Sequence, residues 1–406
     1  MKDKEASIKK LYKKYSLNTY TRCGPVFVKG KGSWLWDEKG SRYLDLFPGW
    51  GVSILGHAHP RIAQTIGKQA KKLIHLPNNL YFKEQALLAQ EITMKSFPAK
   101  VFFANSGAEA VEGAIKFSRL FGCQRDGRFS GKGKRYEVIS MENSFHGRTF
   151  GALSATAQQA YKKPFKPILP GFKVAKFNDF ESFKRQVTPK TVAVILELIQ
   201  GEGGINVAGK EYIQKLKEFC NRKKILIIID EVQTGIGRTA KLFCYQNYAL
   251  IPDILILSKG LGAGVPISAL VINKKIADLM KPGMHASTFG GSPLVSKVSR
   301  EVFKIIEQEK LIKNTKDKGS YLIKGLYALK KKFPFVKEVR GIGLMTGLEL
   351  EIDSYPIFLE CLKEKLLINS THKKVLRIMP ALNVTKPELD KGLKILEKVL
   401  ARFKIK

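Results

Sequence analysis

Residues 225–233 read Ile-Leu-Ile-Ile-Ile-Asp-Glu-Val-Gln, and residues 254–264 read Ile-Leu-Ile-Leu-Ser-Lys-Gly-Leu-Gly-Ala-Gly. Each segment is an apolar run that leads into one charged residue, Asp230 in the first and Lys259 in the second. Apolar runs without alternating polar residues are typical of strands buried on both faces of a parallel sheet. Because parallel strands end at the same edge, the two segments predict a carboxylate and an amine close together at that edge.

The same order of strand, loop and helix repeats from about residue 100 to residue 272. Three more apolar runs belong to this pattern, at residues 101–104, 136–139 and 192–196. Strands that alternate with helices are typical of an α/β domain with a mostly parallel central sheet. We therefore expect this region to form the core of the molecule.

The two ends of the chain differ from this central part. Short strand candidates separated by glycine turns occupy residues 26–46. A helix is predicted to begin at Pro60, with a buried side marked by Ile62, Ile66, Leu73 and Ile74. After about residue 293 the chain is lysine-rich and mostly helical, and its last helix begins with a capping box formed by Thr385 and Glu388.

The chain has 406 residues, enough for two or three domains. We expect residues 56–295 to form a large α/β domain, and residues 1–55 and 296–406 to form jointly a smaller α+β domain. No run of 18 apolar residues is present, and the N-terminus lacks the apolar core of an export signal. These features predict a cytoplasmic protein without a membrane partner.

Cysteine and histidine positions argue against a metal site. The five cysteines are scattered and form no Cys-x-x-Cys pair. This pattern favours a reducing compartment and argues against both a disulfide framework and a zinc site. His57 and His59 could form a metal-binding pair, but no further His or Cys lies near them in the sequence. We expect structural roles for both histidines and no bound metal.

The net charge of +36 admits two interpretations. A basic protein can bind nucleic acid or another polyanion. Alternatively, the lysines cover the whole surface and are simply solvated. Lysines occur in every segment, and no basic stripe with interleaved aromatic residues stands out. We therefore favour the solvated surface and expect no nucleic-acid partner.

Several loops that follow predicted strands carry polar or aromatic residues. In residues 105–110, Ser106 and Glu109 form a capping box at the start of a predicted helix. The N-terminus of that helix either binds an anion or is a well-capped helix end without a ligand. In residues 144–149, Phe145 can stack on a planar ring and Arg148 can grip a carboxylate, although neither residue is specific alone.

Charged residues also occur where apolar or small residues surround them. Glu202 lies among glycines, and Arg377 lies inside an apolar strand candidate and therefore needs a partner. The hydroxyl groups of residues 285–291 lie beside glycines and either bind phosphate or make a turn. Asp230 and Lys259 are the most specific pair, since each ends a buried strand.

The Asp230 and Lys259 pair suits one cofactor chemistry. A lysine that loses its proton in a site of low dielectric can form a Schiff base with an aldehyde. A buried carboxylate can hold a protonated pyridine nitrogen. These two functions together are the core of pyridoxal phosphate chemistry.

Taken in order, five motifs resemble those of the class III pyridoxal phosphate-dependent aminotransferases: residues 105–110, 145–149, 200–204, 230–238 and 258–262. Within this class the chain is most similar to the acetylornithine aminotransferases, with the ornithine aminotransferases close behind. The similarity extends from about Tyr20 to the C-terminus. It implies fold type I, pyridoxal phosphate as the cofactor, and a homodimer with active sites at the subunit interface.

The resemblance also implies roles around the cofactor ring. Lys259 is the catalytic residue that forms the Schiff base, and Asp230 pairs with the pyridinium nitrogen. Phe145 and Val232 enclose the ring, and Gln233 donates a hydrogen bond to its phenolic oxygen.

At the other end of the cofactor, the resemblance implies that Ser106, Gly107 and Ala108 hold the phosphate. Thr288 reaches that phosphate from the other subunit.

The substrate-binding residues follow from the same resemblance. Arg148 binds a substrate carboxylate. Glu202 pairs with Arg377 and moves aside when the α-carboxylate of glutamate binds that arginine. Ser287 and Tyr20 lie nearby. The reaction is ping-pong, with an amino donor in the first half and 2-oxoglutarate as the acceptor in the second.

The identity of the amino donor depends on Trp50. It occupies a position where acetylornithine enzymes usually have an aliphatic residue and ornithine enzymes a tyrosine. We expect transfer of the ω-amino group of N-acetylornithine, as in arginine biosynthesis. Ornithine, 4-aminobutyrate, succinylornithine and an acetyl-lysine-like compound are alternative donors, and an aminomutase or a basic polyanion-binding protein are alternative functions.

Overall fold

The computed structural model describes residues 4–125, 128–129 and 135–403. Helices cover the faces of the sheets and make up most of the C-terminal part. They are α1 (Lys4–Tyr15), α2 (Pro60–Ala70), α3 (Lys83–Lys95), α4 (Gly107–Gly122), α5 (Phe150–Ala155), α6 (Gln159–Lys162), α7 (Phe180–Gln186), α8 (Lys210–Lys223), α9 (Lys274–Ala277), α10 (Pro293–Gln308), α11 (Leu311–Lys332), α12 (Ser354–Lys363) and α13 (Lys386–Leu400).

The strands form one large sheet and several smaller ones. They are β1 (Phe27–Lys31), β2 (Trp34–Asp37), β3 (Arg42–Asp45), β4 (Ala99–Ala104), β5 (Gln124–Arg125), β6 (Arg128–Phe129), β7 (Glu137–Met141), β8 (Phe172–Ala175), β9 (Thr191–Leu196), β10 (Ile199–Gln200), β11 (Asn206–Val207), β12 (Leu226–Asp230), β13 (Ile254–Leu257), β14 (Ser268–Asn273), β15 (Val336–Ile342), β16 (Met345–Leu350), β17 (Leu366–Leu367), β18 (Asn369–Thr371) and β19 (Val375–Ile378).

The large sheet has seven strands in the order β4-β14-β13-β12-β9-β7-β8. Neighbouring strands are parallel from β13 to β8, whereas β14 is antiparallel to both β13 and β4. Every residue of β9, β12 and β13 is buried, because apolar side chains pack on both faces of these strands. The predicted α/β fold with a mostly parallel sheet is confirmed.

The two ends of the chain meet in smaller sheets. Strand β17, from the C-terminal part, pairs in parallel with β3 and completes a four-stranded sheet with β1 and β2. A second four-stranded sheet has the order β15-β16-β19-β18 and carries Arg377 on β19. This pairing agrees with a unit built from both chain ends, and the boundaries at residues 55 and 295 stay predictions.

Most predicted helix ends are found, with one error. The capping boxes of α4 and α13 are both formed, as the Ser106–Glu109 and Thr385–Glu388 pairs predict. The prediction that Leu73 and Ile74 lie on the buried side of α2 is wrong, because the helix ends at Ala70 and both side chains are about half exposed.

The two histidines of residues 57–59 have carboxylate partners. His57 Nε2 lies 2.8 Å from Asp45 Oδ2, and His59 Nε2 lies 3.3 Å from Glu309 Oε1. Within the described part of the chain, no cluster of three His, Cys, Asp or Glu residues is arranged to hold a metal ion. No helix in that part is long and apolar enough to cross a membrane.

Candidate active site

The carboxyl ends of β9, β12 and β13 bring three ionisable side chains to one edge of the large sheet. Asp230 ends β12, opposite Ile256 of β13, and Glu197 follows β9 directly. Lys259 follows β13 after one serine and begins a 3₁₀ turn with a φ of +43°. A left-handed backbone is uncommon for residues other than glycine.

The environment of Lys259 favours the neutral amine. Burial, assisted by the Arg377 charge, lowers its pKa from 10.5 to about 8. The carboxylates of Glu202, Asp230 and Glu197 oppose this shift, which also shows that all three lie close to the amine. A lysine with this pKa is partly unprotonated at neutral pH and can act as a nucleophile or a base.

Asp230 is held by two hydrogen bonds on its two oxygens. The backbone N–H of Val232 donates to Oδ1 at 3.0 Å, and His146 Nδ1 lies 2.8 Å from Oδ2. His146 is buried, and its Nε2 has no hydrogen-bond partner among the described residues. The sequence reasoning missed His146, although its position directly after Phe145 was a usable signal.

Glu197 links two loops of the site. Its Oε2 accepts a hydrogen bond from the N–H of Phe145 at 3.1 Å, and its Oε1 accepts one from the N–H of Gly201 at 3.0 Å. Burial raises the pKa of this carboxyl to about 7, against the opposing effect of the nearby His146. Glu197 therefore holds the predicted stacking residue and the segment that carries Glu202 at a constant distance from each other.

The N-terminus of α4 lies beside the loop that follows β12. Ser106 caps the helix by accepting a hydrogen bond from the N–H of Glu109. A Cβ atom on Gly107 would lie only 2.8 Å from Cγ2 of Val232, so this close approach requires glycine. The first N–H groups of a helix and its dipole favour an anion at this end.

Arg148 is exposed and lies on an aromatic side chain. Its guanidinium carbon is 3.7 Å from the ring centroid of Tyr161 and 5.5 Å from that of Phe145. The following residues are anchored by Glu112, whose Oε1 accepts hydrogen bonds from Thr149 Oγ1 and from the N–H of residue 151. Sequence reasoning missed Tyr161 and Glu112, since both are distant in the chain.

Arg377 and Glu202 form an ion pair next to the amine. Arg377 Nη1 lies 2.8 Å from Glu202 Oε1, and the arginine side chain is fully buried. Burial disfavours ionisation of Glu202, but the Arg377 charge outweighs it and lowers the pKa of this carboxyl below its usual range. Gln233, predicted to contact the cofactor, donates to Glu202 Oε1 at 3.1 Å and accepts from Arg377 Nη1 at 3.2 Å.

Three other predicted site residues lie at or near the surface of the single chain. Tyr20 is 67% exposed, with its ring near Arg22, and Thr288 is also exposed. Ser287 Oγ accepts a hydrogen bond from Asn105, the residue before Ser106. Their predicted substrate and cofactor roles stay predictions.

Trp50 lies on a strained turn. Its φ is +55°, between Gly49 and Gly51, which also have positive φ values. The side chain is 50% exposed and meets the ring of Phe47 edge to face. The ring of Phe47 in turn lies 4.7 Å from the guanidinium of Arg377. Trp50 therefore contacts the Arg377–Glu202 ion pair indirectly, through Phe47.

Comparison with known proteins places this site in one family. The profile of the class-III aminotransferases matches residues 17–400, and the chain belongs to this family. The acetylornithine aminotransferase of Caldanaerobacter subterraneus subsp. tengcongensis is 47% identical over 393 residues, covering 97% of this chain and 98% of that protein. That of Methanocaldococcus jannaschii is 44% identical over 97% of this chain and 98% of its own length.

Solved structures give the same result. The ornithine aminotransferase of Toxoplasma gondii, described with pyridoxal phosphate at partial occupancy in its active site, has a TM-score of 0.93 and 31% identity, covering 98% of this chain and 94% of that chain. The acetylornithine aminotransferase of Elizabethkingia anophelis has a TM-score of 0.86 and 30% identity, over 98% and 99% of the two chains. The fold is therefore fold type I, and the protein is a pyridoxal phosphate-dependent transaminase.

The arrangement at the sheet edge fits pyridoxal phosphate. Lys259 offers an amine whose pKa is already lowered, and Asp230 is fixed by His146 close to it. The glycine at position 107 allows Val232 to pack closely against the N-terminus of α4, the helix end suited to a phosphate. Each part of the cofactor thus has a chemically matching group in this chain.

Proposed function

We propose that the protein transfers the ω-amino group of N-acetylornithine to 2-oxoglutarate, as in arginine biosynthesis. The observation that carries the proposal is the presence of two different arginines, one exposed and one buried beside Lys259. Arg148 has no carboxylate within ion-pair distance among the described residues, whereas Arg377 is neutralised by Glu202. This difference suits two substrates that alternate in one site, with carboxylates in different places.

Lys259 is the group that moves the proton. When bound, pyridoxal phosphate supplies an aldehyde that condenses with amines and a ring that accepts the electron pair left by a broken C–H bond. The Lys259 amine, with its pKa of about 8, takes the proton from the reacting carbon of the donor and returns it to the cofactor. The buried surroundings exclude water and keep this proton within the site.

In the proposed arrangement, the Asp230 side chain lies beside the ring nitrogen of the bound cofactor. His146 donates to its Oδ2 and Val232 to its Oδ1, so the carboxylate cannot rotate freely. A fixed carboxylate favours the protonated form of a neighbouring pyridine nitrogen. We infer that Asp230 acts in this way and that Phe145 and Val232 enclose the ring.

The ion pair acts as a substrate-dependent switch. With N-acetylornithine, Glu202 stays on Arg377, and the donor carboxylate is bound further out by Arg148. With 2-oxoglutarate or glutamate, Glu202 turns away and the α-carboxylate takes its place on Arg377. A bidentate arginine–carboxylate contact then fixes the keto acid for the second half of the reaction.

The assembly is proposed to be a homodimer in the cytoplasm. Large apolar side chains that are exposed on the single chain support a second subunit: Leu80, Tyr81, Phe150 and Phe289 are between 52% and 106% exposed. Apolar side chains become buried where they form one patch that a second subunit covers. Thr288 is expected to reach the cofactor phosphate of the partner subunit.

A panel of amines tests the substrate. Each amine is added to the holoenzyme without a keto acid, and the loss of the cofactor absorbance is followed. We expect N-acetylornithine to react fastest, ahead of ornithine, 4-aminobutyrate and succinylornithine. The substrate assignment is wrong if N-acetylornithine leaves the spectrum unchanged while another amine alters it.

A further inference from the structure

The Arg377 side chain is fully buried, and its guanidinium is surrounded by other groups of the chain. Phe47 lies 4.7 Å from the guanidinium carbon and covers one face. Nη1 donates to Glu202 Oε1 and to the carbonyl oxygen of Gly201, both at 2.8 Å. A carboxylate substrate that binds Arg377 must therefore take the edge that Glu202 occupies.

The opposite edge of the guanidinium is held by Asn369. Its side-chain Oδ1 accepts hydrogen bonds from both Nε, at 3.1 Å, and Nη2, at 2.9 Å. The geometry follows from the sheet, because Asn369 on β18 is the register partner of Arg377 on β19. One amide oxygen of Asn369 thus accepts hydrogen bonds from two guanidinium nitrogens and adds no charge.

The same strand anchors the backbone of the switch. Thr371, two residues after Asn369 on β18, donates from Oγ1 to the carbonyl oxygen of Glu202 at 2.9 Å. Glu202 can therefore leave Arg377 by turning its side chain while its backbone stays attached. Residues two apart on a strand point to the same face, so one short strand holds both members of the pair.

We propose that Asn369 is a positioning residue for the acceptor substrate: it fixes the guanidinium of Arg377 while leaving its charge available. Within the described part of the chain, Glu202 is the only carboxylate in ion-pair distance of Arg377. Once Glu202 turns away, the arginine keeps its orientation and its full positive charge. The inference depends on the proposed use of Arg377 for the α-carboxylate of 2-oxoglutarate.

The Asn369→Asp substitution would take away the available positive charge of Arg377. Aspartate has almost the same shape as asparagine and would accept the same two hydrogen bonds. Its charge would neutralise Arg377 permanently and repel an incoming carboxylate. Charge, rather than shape, is therefore the feature that the Asn369→Asp substitution changes.

The test compares the Asn369→Asp holoenzyme with the native holoenzyme. Calorimetry measures binding of glutarate, which has the two carboxylates of 2-oxoglutarate but cannot react, and kinetics measure the two half-reactions separately. We expect the dissociation constant of glutarate and the KM for 2-oxoglutarate to rise about tenfold or more, because the added carboxylate weakens the attraction between Arg377 and the incoming carboxylate. The half-reaction with N-acetylornithine should change much less, because the donor carboxylate binds Arg148 in the proposed scheme and not Arg377.

Ser370→Ala is the control from the same strand, because it removes the contact with Ser354 Oγ and leaves Arg377 untouched. It should bind glutarate like the native enzyme. The positioning role is overturned if Asn369→Asp binds glutarate normally, or if it slows both half-reactions equally. If the native enzyme itself neither binds glutarate nor accepts 2-oxoglutarate, the proposed function fails instead.

Discussion

The attachment of pyridoxal phosphate to Lys259 is predicted to depend on pH with a midpoint near 8. Burial lowers the pKa of this lysine from 10.5 to about 8. At pH 7 the neutral fraction is then roughly one tenth, whereas a pKa of 10.5 would leave about one amine in 3000 neutral. The folded site therefore raises the reactive fraction of Lys259 roughly 300-fold at pH 7.

The assay mixes cofactor-free enzyme with pyridoxal phosphate between pH 6 and pH 10, about two units either side of the expected midpoint, and follows the absorbance of the attached cofactor. Because the neutral amine attacks, the rate should rise with pH and level off above the midpoint. Glu202→Gln removes a charge that raises the Lys259 pKa, so its midpoint should shift downward. Glu211→Gln, on the surface and paired with Lys215, is the control and should not shift it. A native midpoint near 10, or an upward shift in Glu202→Gln, would refute this account of the site.

Three further substitutions test other parts of the site. Tyr161→Leu removes the ring beneath Arg148 and should raise the KM for N-acetylornithine about tenfold with little change in kcat, whereas Tyr161→Phe should keep the native KM. His146→Phe removes the hydrogen bond to Asp230 and should weaken cofactor binding about tenfold in an absorbance titration; unchanged affinity would contradict the role given to this histidine. Gly107→Ala introduces a contact of 2.8 Å and should lower cofactor affinity, while Gly67→Ala, which meets no atom within 4 Å, should leave it unchanged.

The sequence predicted the strands better than their arrangement. The apolar runs that end in Asp230 and before Lys259 are buried strands at neighbouring positions, as expected. Strand β14 was not predicted, and its sequence, Ser-Ala-Leu-Val-Ile-Asn, does not show that it is antiparallel. The direction of a strand depends on the segment that connects it to the previous strand and on the strand beside it. A local pattern of apolar residues contains neither kind of information.

The site residues that sequence reasoning missed act through other side chains. Asn369 is a polar residue on a strand of three residues and has no distinctive neighbours in the sequence. Its contact with Arg377 arises only when β18 and β19 pair. Tyr161 lies on a separate short helix, α6, and meets Arg148 only in the folded chain. Such supporting contacts are set by tertiary structure, whereas the groups that end buried strands are visible in the sequence.

The most direct test is to reduce the freshly purified protein with borohydride and to locate the cofactor by peptide mass spectrometry. We predict a single phosphopyridoxyl group on Lys259, and none in the Lys259→Ala variant. Cofactor on a different lysine, or no covalently bound cofactor in the native protein, would contradict the assignment of this edge of the sheet as the active site.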